Sequence, residues 1–304
     1  MTRVLVRRVL RLVVVVAGVS VVTFAILHAS GDPVALMMPE SPEAERTELR
    51  RTLGLDDPLV VQFARFVADA ARGRFGDSLY HREPAMALVL ARMPTTLTLA
   101  CLAMAAALVI SVPAGILSAI RRGSPADHAI TTMVFLGQSM PVFWMGIMLM
   151  LLFGVAWRVL PVSGWTSWSS VVLPVVTLGA FLAPAQLRIV RSSMLEVIAL
   201  DYVRTARAKG LSERAVIWRH ALRNAALPVV TVIGLQFGIG LGGAVITESV
   251  FAIPGVGRLI VAAIGQLDFP VVQASVYLLA MMTVTVNFTV DLIYTWLNPV
   301  VRVR

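Results

Sequence analysis

The chain has 304 residues, of which 58% are hydrophobic and only 14% are charged. Because soluble domains carry roughly 25% charged residues, this composition predicts an integral membrane protein and argues against a soluble enzyme. The net charge of +9 does not indicate a nucleic-acid partner, since most basic residues flank apolar runs, where they act as signals of membrane topology.

Six apolar segments are long enough to cross a bilayer, which takes about 20 residues of helix. They lie at roughly 9–29, 97–120, 129–156, 170–190, 225–248 and 274–297. The first follows four arginines like a signal peptide, but no A-x-A cleavage site comes after it, so we expect an uncleaved membrane anchor. The fourth contains Pro174 and Pro184, which kink membrane helices, and it is expected to end at Arg188 and Arg191.

The basic residues indicate the orientation of these spans. Four lie in the N-terminal tail, two in the 121–128 loop, eight in the 188–223 loop and two in the C-terminal tail. The two short opposite loops hold one each, Arg158 and Arg258. Loops rich in Lys and Arg stay in the cytoplasm, so both termini are predicted to be cytoplasmic.

The long segment 31–93 is then predicted to be extracytoplasmic. Its apolar residues recur at helical spacing, which favours two or three short helices on the outer membrane surface. These residues are Leu55, Leu59, Val60, Phe63, Phe66 and Val67. The stretch RGRFGDS, residues 72–78, is typical of a turn.

Motifs for ATP hydrolysis and metal catalysis are missing from the sequence. A Walker A motif needs Gly-Lys-Ser/Thr, but Lys209, the only lysine, is followed by Gly210. The four histidines form no H-E-x-x-H pattern, and the single cysteine, Cys101, rules out a disulfide within the chain and a cysteine-based metal site. We therefore expect no enzymatic activity, cofactor or metal on this chain.

A few residues within the spans are candidates for lining a path through the membrane. They are Gln138, Ser139, Met140, Gln236 and Asn287. The side-chain amides of Gln138, Gln236 and Asn287 could equally hydrogen-bond a neighbouring helix. Glu248 and Asp291 lie near helix ends, where contact with headgroups or water is easy, so a structural or interfacial role is favoured over contact with a substrate.

Gly234, Gly238 and Gly242 recur every four residues and share one face of the fifth span. Small residues on one face allow two membrane helices to approach closely, here either within the chain or against a second subunit. A nucleotide-binding glycine motif would need a preceding strand, so packing is the favoured interpretation.

The longest basic loop, 201–230, contains helix signals of its own. Asp201 can cap a helix over 202–209, and Gly210 fits a left-handed stop directly after it. Ser212 can cap a second helix. A topology determinant lying among anionic headgroups would not need two capped helices around a glycine. The pattern therefore favours a short helical element that docks in a groove of a cytosolic partner.

Within this loop, YVRTARAKGLS resembles the EAA loop of binding-protein-dependent ABC transporter permeases. Alignment on Gly210 places Arg204, Thr205 and Ala206 at the E-A-A positions, and Ala206, Gly210 and Leu222 match the general pattern of that loop. The variants RTARAKGLS and RHALRNA are characteristic of B-type subunits in the dipeptide/oligopeptide branch of the family.

Further stretches resemble the same branch, in order and over nearly the whole chain. The N-terminal half contributes RRVLRLVVVVAGVSVVTFAILHASGDP, LGLDDPLVVQFARFV and GRFGDS. The C-terminal half contributes GQSMPVFWMGI, LPVSGW, FAIPGVGRLIVAAIGQLDFPVVQASV and VDLIYTWLNPVVR.

The resemblance implies a type I ABC importer permease, an all-α polytopic membrane protein with six transmembrane helices. Its parts would be a first transmembrane helix at 1–30, an extracytoplasmic helical segment at 31–93 and a permease core at 94–304, with the coupling loop at 196–223. In this family that loop forms a coupling helix in a cleft of an ATP-binding subunit. The residues implied in this contact are Arg204, Thr205, Ala206, Arg207, Lys209, Gly210, Leu211 and Leu222.

The same resemblance implies the partners. A second homologous permease subunit completes the pore, one or two P-loop ATPase subunits bind ATP and Mg, and an extracytoplasmic solute-binding protein delivers a peptide. The segment 31–93 and the 249–272 loop are the surfaces expected to meet that binding protein. We expect the complex in the prokaryotic plasma membrane, in contact with lipid and without nucleic acid.

Other cargoes, another transport class and a non-transporting membrane scaffold stay open as alternatives. A scaffold would be recognised by normal uptake after its deletion. Nickel, glutathione or haem could replace the peptide within the same ABC importer class, because the binding protein usually sets the cargo. An ion-coupled secondary carrier would instead show inverted repeats with broken helices and buried carboxylates, which the sequence does not display.

Overall fold

The computed structural model describes residues 13–25, Val34 and 42–297. In this part of the chain the regular structure is helical and no β-strand occurs, apart from an isolated bridge between Asp77 and Pro84. The predicted all-α fold is therefore confirmed for these residues. The basic N-terminal and C-terminal tails, and the ends of the first predicted span, lie outside the described residues.

The chain forms two compact units, and the first draws on Met1–Pro94 and Arg258–Val284. Its first helices are α1 (Val13–Ala25), α2 (Glu43–Leu53) and α3 (Leu59–Ala70). Both α2 and α3 begin directly after a proline, whose fixed φ suits the residue before a helix. Gly54, with φ of 65°, ends α2 in the left-handed conformation. Short helices are therefore present in the segment 31–93, as predicted.

A row of aromatic rings packs the first unit. Phe24 meets Phe63 edge to face, with 5.3 Å between ring centroids, and lies 6.0 Å from Phe66. Phe66 in turn contacts Phe75 at 6.3 Å, and Phe75 contacts Tyr277 at 5.3 Å. Such pairs contribute about 1 kcal/mol each beyond the area that they bury. Two of the predicted apolar positions, Phe63 and Phe66, therefore supply the packed face of α3.

The second unit draws on Thr95–Gly257 and Thr285–Arg304. The longer helices that follow in the described part of the chain are α4 (Ala85–Ile120), α5 (Pro125–Ser139), α6 (Val142–Leu149), α7 (Trp168–Ile198), α8 (Asp201–Ala208), α9 (Leu222–Val250), α10 (Val256–Gly265) and α11 (Phe269–Leu297). Three of them, α4, α10 and α11, pass from one unit to the other along the sequence. Two π-helical stretches adjoin them, Met150–Ala156 after α6 and Val216–Ala221 before α9.

The third predicted span, roughly 129–156, is broken in the structure. Pro125–Ser139 and Val142–Ala156 meet at an angle of 102°. Met140, between them, is extended, with φ of −102° and ψ of 139°. Pro141 causes the break, because proline lacks an N–H for the helical ladder and disfavours the helical conformation in the residue before it.

Among the four described helices that are long enough to cross a membrane, α7 is the most buried, and it is longer than the predicted span 170–190. It begins at a capping box of two serines and buries one continuous face: Leu173, Leu178, Leu182, Leu187, Val190 and Met194. The expectation that it ends at Arg188 and Arg191 is wrong. The arginines end the apolar run but not the helix, because arginine is a good helix former. Arg188 lies over the Phe135 ring and Arg191 pairs with Asp127.

Helices long and apolar enough to cross a membrane number four within the described residues, or five if the bent α5–α6 pair is one span. The four are Ala85–Ile120, Trp168–Ile198, Pro228–Val250 and Phe269–Val290. The described part of the first predicted span is α1, which is shorter than a bilayer crossing. The chain is therefore polytopic.

Close packing involves only part of the predicted glycine face on α9. A Cβ added to Gly234 would lie 2.8 Å from Val290, so this position packs within the chain. A Cβ on Gly242 would meet nothing within 4 Å. Another glycine, Gly243, approaches α7, because its Cβ would lie 2.7 Å from Leu178.

Candidate functional site

The basic loop, residues 200–222, follows α7 and begins with α8. One face of α8 is buried, since Val203 is fully covered and Ala206 is only 6% exposed. Both belong to a core cluster with the ends of α4 and α7 and the start of α9: Ile116, Ala119, Val190, Met194, Val197, Val216, Ile217, Ala221, Ala225 and Val229. Helix α8 is therefore part of the core that joins these helix ends.

Helix α8 ends in a glycine turn. Gly210 has φ of 77°, in the left-handed region. Its N–H donates to the carbonyl of Arg207 at 2.9 Å, and the N–H of Leu211 donates to the carbonyl of Ala206 at 3.4 Å. These two bonds make a Schellman motif, which satisfies carbonyls at a helix end. The predicted left-handed stop at Gly210 is confirmed.

The second arm of the basic loop starts at the predicted cap. Ser212 Oγ accepts the N–H of Ala215 at 3.4 Å. The chain then passes through the π-helical stretch and buries three aliphatic side chains, Val216, Ile217 and Ala221. Trp218 points away from this core and is 52% exposed. The second arm is thus anchored by aliphatic residues and presents its aromatic ring outward.

Two polar pairs brace the arms against each other. Arg207 donates to both carboxylate oxygens of Glu213, at 2.6 and 3.3 Å, across the glycine turn. This hydrogen bond raises the pKa of the Arg207 guanidinium above its ordinary value. Tyr202 Oη accepts a hydrogen bond from Asn224 Nδ2 at 2.7 Å, which ties α8 to the start of α9. The pairs are exposed, so their role is to fix the angle between the arms more than to stabilise the fold.

The predicted coupling residues divide into an outer and an inner group. Those exposed on the surface of the loop are Arg204, Thr205, Arg207, Lys209, Gly210 and Leu211. Ala206 is buried and Leu222 is half-buried, and both pack on the core cluster beneath α8. A partner chain could touch the outer group directly, whereas the inner group supports the loop from below.

The predicted cap of α8 is wrong by one residue. Leu200, with extended backbone, occupies the N-cap position, and no side chain caps the helix there. Asp201 is the first residue of the helix, and its carboxylate lies 3.5 Å from the Arg204 guanidinium. An acidic side chain in the first turn still favours the positive end of the helix dipole.

Two known protein families match this chain, one in its C-terminal and one in its N-terminal part. Residues 111–303 match the family described as the binding-protein-dependent transport system inner membrane component. Residues 1–100 match the family described as its N-terminal membrane component. The chain belongs to this family. The predicted resemblance is thereby confirmed, and the chain is an inner-membrane permease subunit and not an enzyme.

Several named relatives are similar to this permease over almost its whole length. The dipeptide transport system permease protein DppB of Escherichia coli K12 is 41% identical, with 94% of each chain aligned. A probable peptide ABC transporter permease of Sinorhizobium fredii, y4tP, is 40% identical over 97% of this chain and 98% of its own. The glutathione transport system permease protein GsiC of Escherichia coli K12 is 40% identical over 98% of both.

Solved structures share the fold. An inward-facing crystal form of the MetNI methionine ABC transporter aligns with a TM-score of 0.60 at 19% identity, over 69% of this chain and 96% of that chain. A second inward-facing form aligns with a TM-score of 0.58 at 20% identity. The permease therefore has the fold of an ABC importer membrane subunit.

The candidate path residues of the permease fall in three places. Gln138 and Ser139 are exposed at the end of α5, beside Met140 at the helix break. Gln236 is buried on α9, and Asn287 is half-buried on α11. Their assignment to a path stays a prediction. Among the described residues, no three His, Cys, Asp or Glu side chains are grouped as metal ligands would be.

The far end of α9 carries a second loop, residues 251–257, which we call the buried loop. Its apolar side chains are almost fully covered: Phe251, Ile253 and Val256. The carboxylate of Glu248, which is also fully buried, accepts the N–H of Gly257 at 2.7 Å. Thr96 Oγ1 accepts the N–H of Val256 at 2.9 Å. The buried loop is therefore a fixed part of the second unit.

The expectation that Glu248 contacts headgroups or water is wrong, because its side chain is inside the protein. Two neighbouring glycines make room for it. A Cβ on Gly255 would lie 2.2 Å from the carboxylate carbon, and a Cβ on Gly257 would lie 2.3 Å from the Cα of Val245. The paired glycines of FAIPGVG were the sequence signal for this close packing. The side chain of Asp291 lies outside the described residues.

Two stretches that carry the family resemblance meet in the first unit. Asp268, in GQLDFP, is buried and accepts hydrogen bonds from the hydroxyl of Ser78, in GRFGDS, and from the N–H of Leu79 at 3.3 Å. Ser78 Oγ in turn accepts the N–H of His81 at 2.9 Å. Asp268 thus holds the predicted turn. No local signal reveals this pairing, since the partners are far apart in sequence.

Proposed function

We propose that this chain is one of two permease subunits of an ATP-driven peptide importer, and that the basic loop is the site where an ATPase subunit docks. The observation that carries the proposal is the construction of this loop. Its inner face belongs to the core of three helix ends, while its outer face presents Arg204, Lys209 and Leu211. A rigid element with an exposed basic face suits docking in a groove of another protein.

The loop could transmit force because it is not a flexible tether. Closure of an ATPase dimer would push α8, and the shared core would pass this displacement to the ends of α4 and α7. Rigid-body movement of this kind is the usual way in which transporters alternate between outward-facing and inward-facing states.

The proposal includes six crossings with both termini in the cytoplasm. A first transmembrane helix at 1–30 would precede an extracytoplasmic segment at 31–93, and the permease core at 94–304 would contain the coupling loop 196–223. The distribution of arginines supports this orientation. The segment 31–93 and the 249–272 loop would then face the solute-binding protein.

Peptides are the proposed cargo, because the similar permeases DppB and y4tP are named for dipeptide and peptide transport. GsiC, whose sequence identity to this chain is about the same, is named for glutathione transport, and glutathione is itself a small peptide. Glutathione is therefore the second candidate. Nickel and haem have no such support among these relatives.

Purification of the tagged chain from its native membrane in mild detergent tests the proposal. We expect a second permease, a P-loop ATPase and a solute-binding protein to come with it, and the ligand on the binding protein to be a peptide. Competition between a dipeptide and glutathione for that binding protein would separate the two cargoes. Purification without any ATPase, under conditions that preserve a known ABC complex, would contradict the proposal.

A further inference from the structure

A buried polar cluster joins three helices near the basic loop. Asp127, in the first turn of α5, is only 3% exposed. Its carboxylate accepts two hydrogen bonds from Arg191 on α7, at 2.8 and 3.2 Å, and one from the N–H of Gly123 at 3.0 Å. It also accepts the hydroxyl of Ser118 on α4. A buried carboxylate with this many donors is held in one position.

The arginine is fixed as firmly as the carboxylate. Its Nε also approaches Ser118 Oγ at 2.8 Å, so one guanidinium contacts α4 and α5 together. Ser118 is fully buried, and about two-thirds of the Arg191 side chain is covered. A planar guanidinium makes these parallel bonds, whereas a lysine in its place could not.

The cluster adjoins the core beneath α8. Val190, directly before Arg191, and Ala119, directly after Ser118, both belong to the core cluster that contains Val203 and Ala206 of the basic loop. Among the described residues, none from α5 belongs to that core cluster. The polar bonds of Asp127 therefore join α5 to the helix ends on which the basic loop rests.

The other end of α5 also packs against α7. Gly137 approaches α7 so closely that a Cβ there would lie 2.7 Å from the carbonyl oxygen of Ala180. The helix then breaks at Met140. Because α5 is held to α7 at both ends, a displacement of α7 carries the break with it.

We propose that Asp127, Arg191 and Ser118 are positioning residues that transmit the displacement of the basic loop to α5 and to the helix break at Met140. This inference rests on the proposed function, since the displacement comes from a docked ATPase. The three residues touch neither ATP nor peptide. Their role is to keep α4, α5 and α7 moving as one body during each transport cycle.

Transport per ATP in proteoliposomes tests this role, using the complete importer. Asp127→Asn removes the charge and keeps the shape. We expect the assembled complex to keep hydrolysing ATP while peptide uptake per ATP falls about ten-fold, within the usual range of coupling between sites. Peptide uptake per ATP should fall similarly in Arg191→Lys and by a smaller factor in Ser118→Ala. Ser192→Ala, next to Arg191, is the matched control for Ser118→Ala, because its exposed hydroxyl donates to the carbonyl of Ile189 within α7 and its loss should leave the ratio unchanged.

A distance measurement separates transmission from mere stabilisation. With Cys101 replaced by serine, spin labels are placed at Met133→Cys on α5 and Ser192→Cys on α7, both exposed positions outside the proposed docking surface. We expect one distance that is the same with and without ATP in the otherwise unchanged chain. In Asp127→Asn the distance should broaden or change when ATP binds, because α5 no longer follows α7.

Unchanged uptake per ATP in Asp127→Asn would overturn the inference. So would loss of assembly in both Asp127→Asn and the milder Ser118→Ala, because the cluster would then serve folding alone. Failure of the proposed function has a different signature. In that case the complex with no substitution in the cluster would neither hydrolyse ATP nor take up peptide.

Discussion

Helix α9 has a loop at each end, and the two loops are held in opposite ways. The basic loop before it packs on the buried core cluster but exposes its polar face. Its glycine, Gly210, has open space around it and is needed only for the left-handed turn. In the buried loop after it, the large apolar side chains are covered and Pro254 is exposed. Its glycine, Gly257, is needed because the backbone of α9 leaves no room for a side chain.

This difference indicates how each loop contributes to the permease. The large apolar side chains of the buried loop are covered by its own chain, so changes at these positions act on folding. The basic loop is anchored on the core cluster and exposed on its outer side, so it can bind a partner without changing its conformation. Changes on that outer side therefore act on coupling. The substitutions below are designed to separate these two effects.

Gly257→Ala should have the largest effect on stability. Its Cβ would collide with the backbone of Val245, which has no freedom to move aside. Overpacking of this kind costs about 3 kcal/mol. The purified chain should therefore unfold at a clearly lower temperature in detergent. Gly242→Ala, on the neighbouring helix with open space around it, should leave the unfolding temperature equal or higher.

Gly210→Pro should uncouple transport while the chain still inserts. Proline cannot adopt the positive φ of this position and removes the N–H bonded to Arg207. The end of α8 would lose its Schellman motif. We expect normal membrane abundance but at least a several-fold loss of ATPase subunit retained on the tagged chain, measured by co-purification.

Gly73→Pro provides a control with the same local geometry. Gly73 also has positive φ, of 70°, its N–H bonds the carbonyl of Ala70, and the next N–H, of Arg74, bonds Asp69. The strain is therefore comparable but lies outside the basic loop. Equal loss of the ATPase in both variants would show that Gly210 acts through general misfolding.

Ser212→Ala should have a smaller effect, because it removes one cap bond to the N–H of Ala215. Loss of such a cap costs about 1 kcal/mol. Hydrogen exchange should show faster exchange in the second arm of the basic loop, with the core of α7 unchanged. Protection equal to that of the unsubstituted chain would mean that the cap does not order this arm.

The Arg207–Glu213 pair should contribute least to stability. Both side chains are more than a third exposed, so a double-mutant cycle with alanine should give a coupling of about 0.5 kcal/mol. The pair should weaken further at high salt. A coupling well above 1 kcal/mol would mean that the pair stabilises the fold and does not only set the angle between the arms.

The basic loop was largely predictable because its signals are local. Gly210 and Ser212 specify a turn and a cap within a few residues of themselves, and the structure has both. The break at Met140 also had a local signal in Pro141, but the apolar run on both sides concealed it.

The buried polar contacts could not be predicted in the same way. Asp127 and Arg191 are separated by 64 residues, and Asp268 and Ser78 by 190. Such pairs depend on which helix ends the fold brings together, which a single sequence does not reveal. The position of Glu248 near a helix end favours contact with water, but the fold closes a loop over that end and buries the side chain.

Site-directed crosslinking tests the docking of an ATPase on the basic loop most directly. Because Cys101 is the only cysteine, Cys101→Ser leaves a chain in which one new thiol can be placed at will. Leu211→Cys, at the exposed tip of the loop, is predicted to crosslink to a P-loop ATPase subunit in native membranes, whereas Val159→Cys, exposed in a different loop, is not. Crosslinking of the ATPase at Val159 and not at Leu211 would contradict the account.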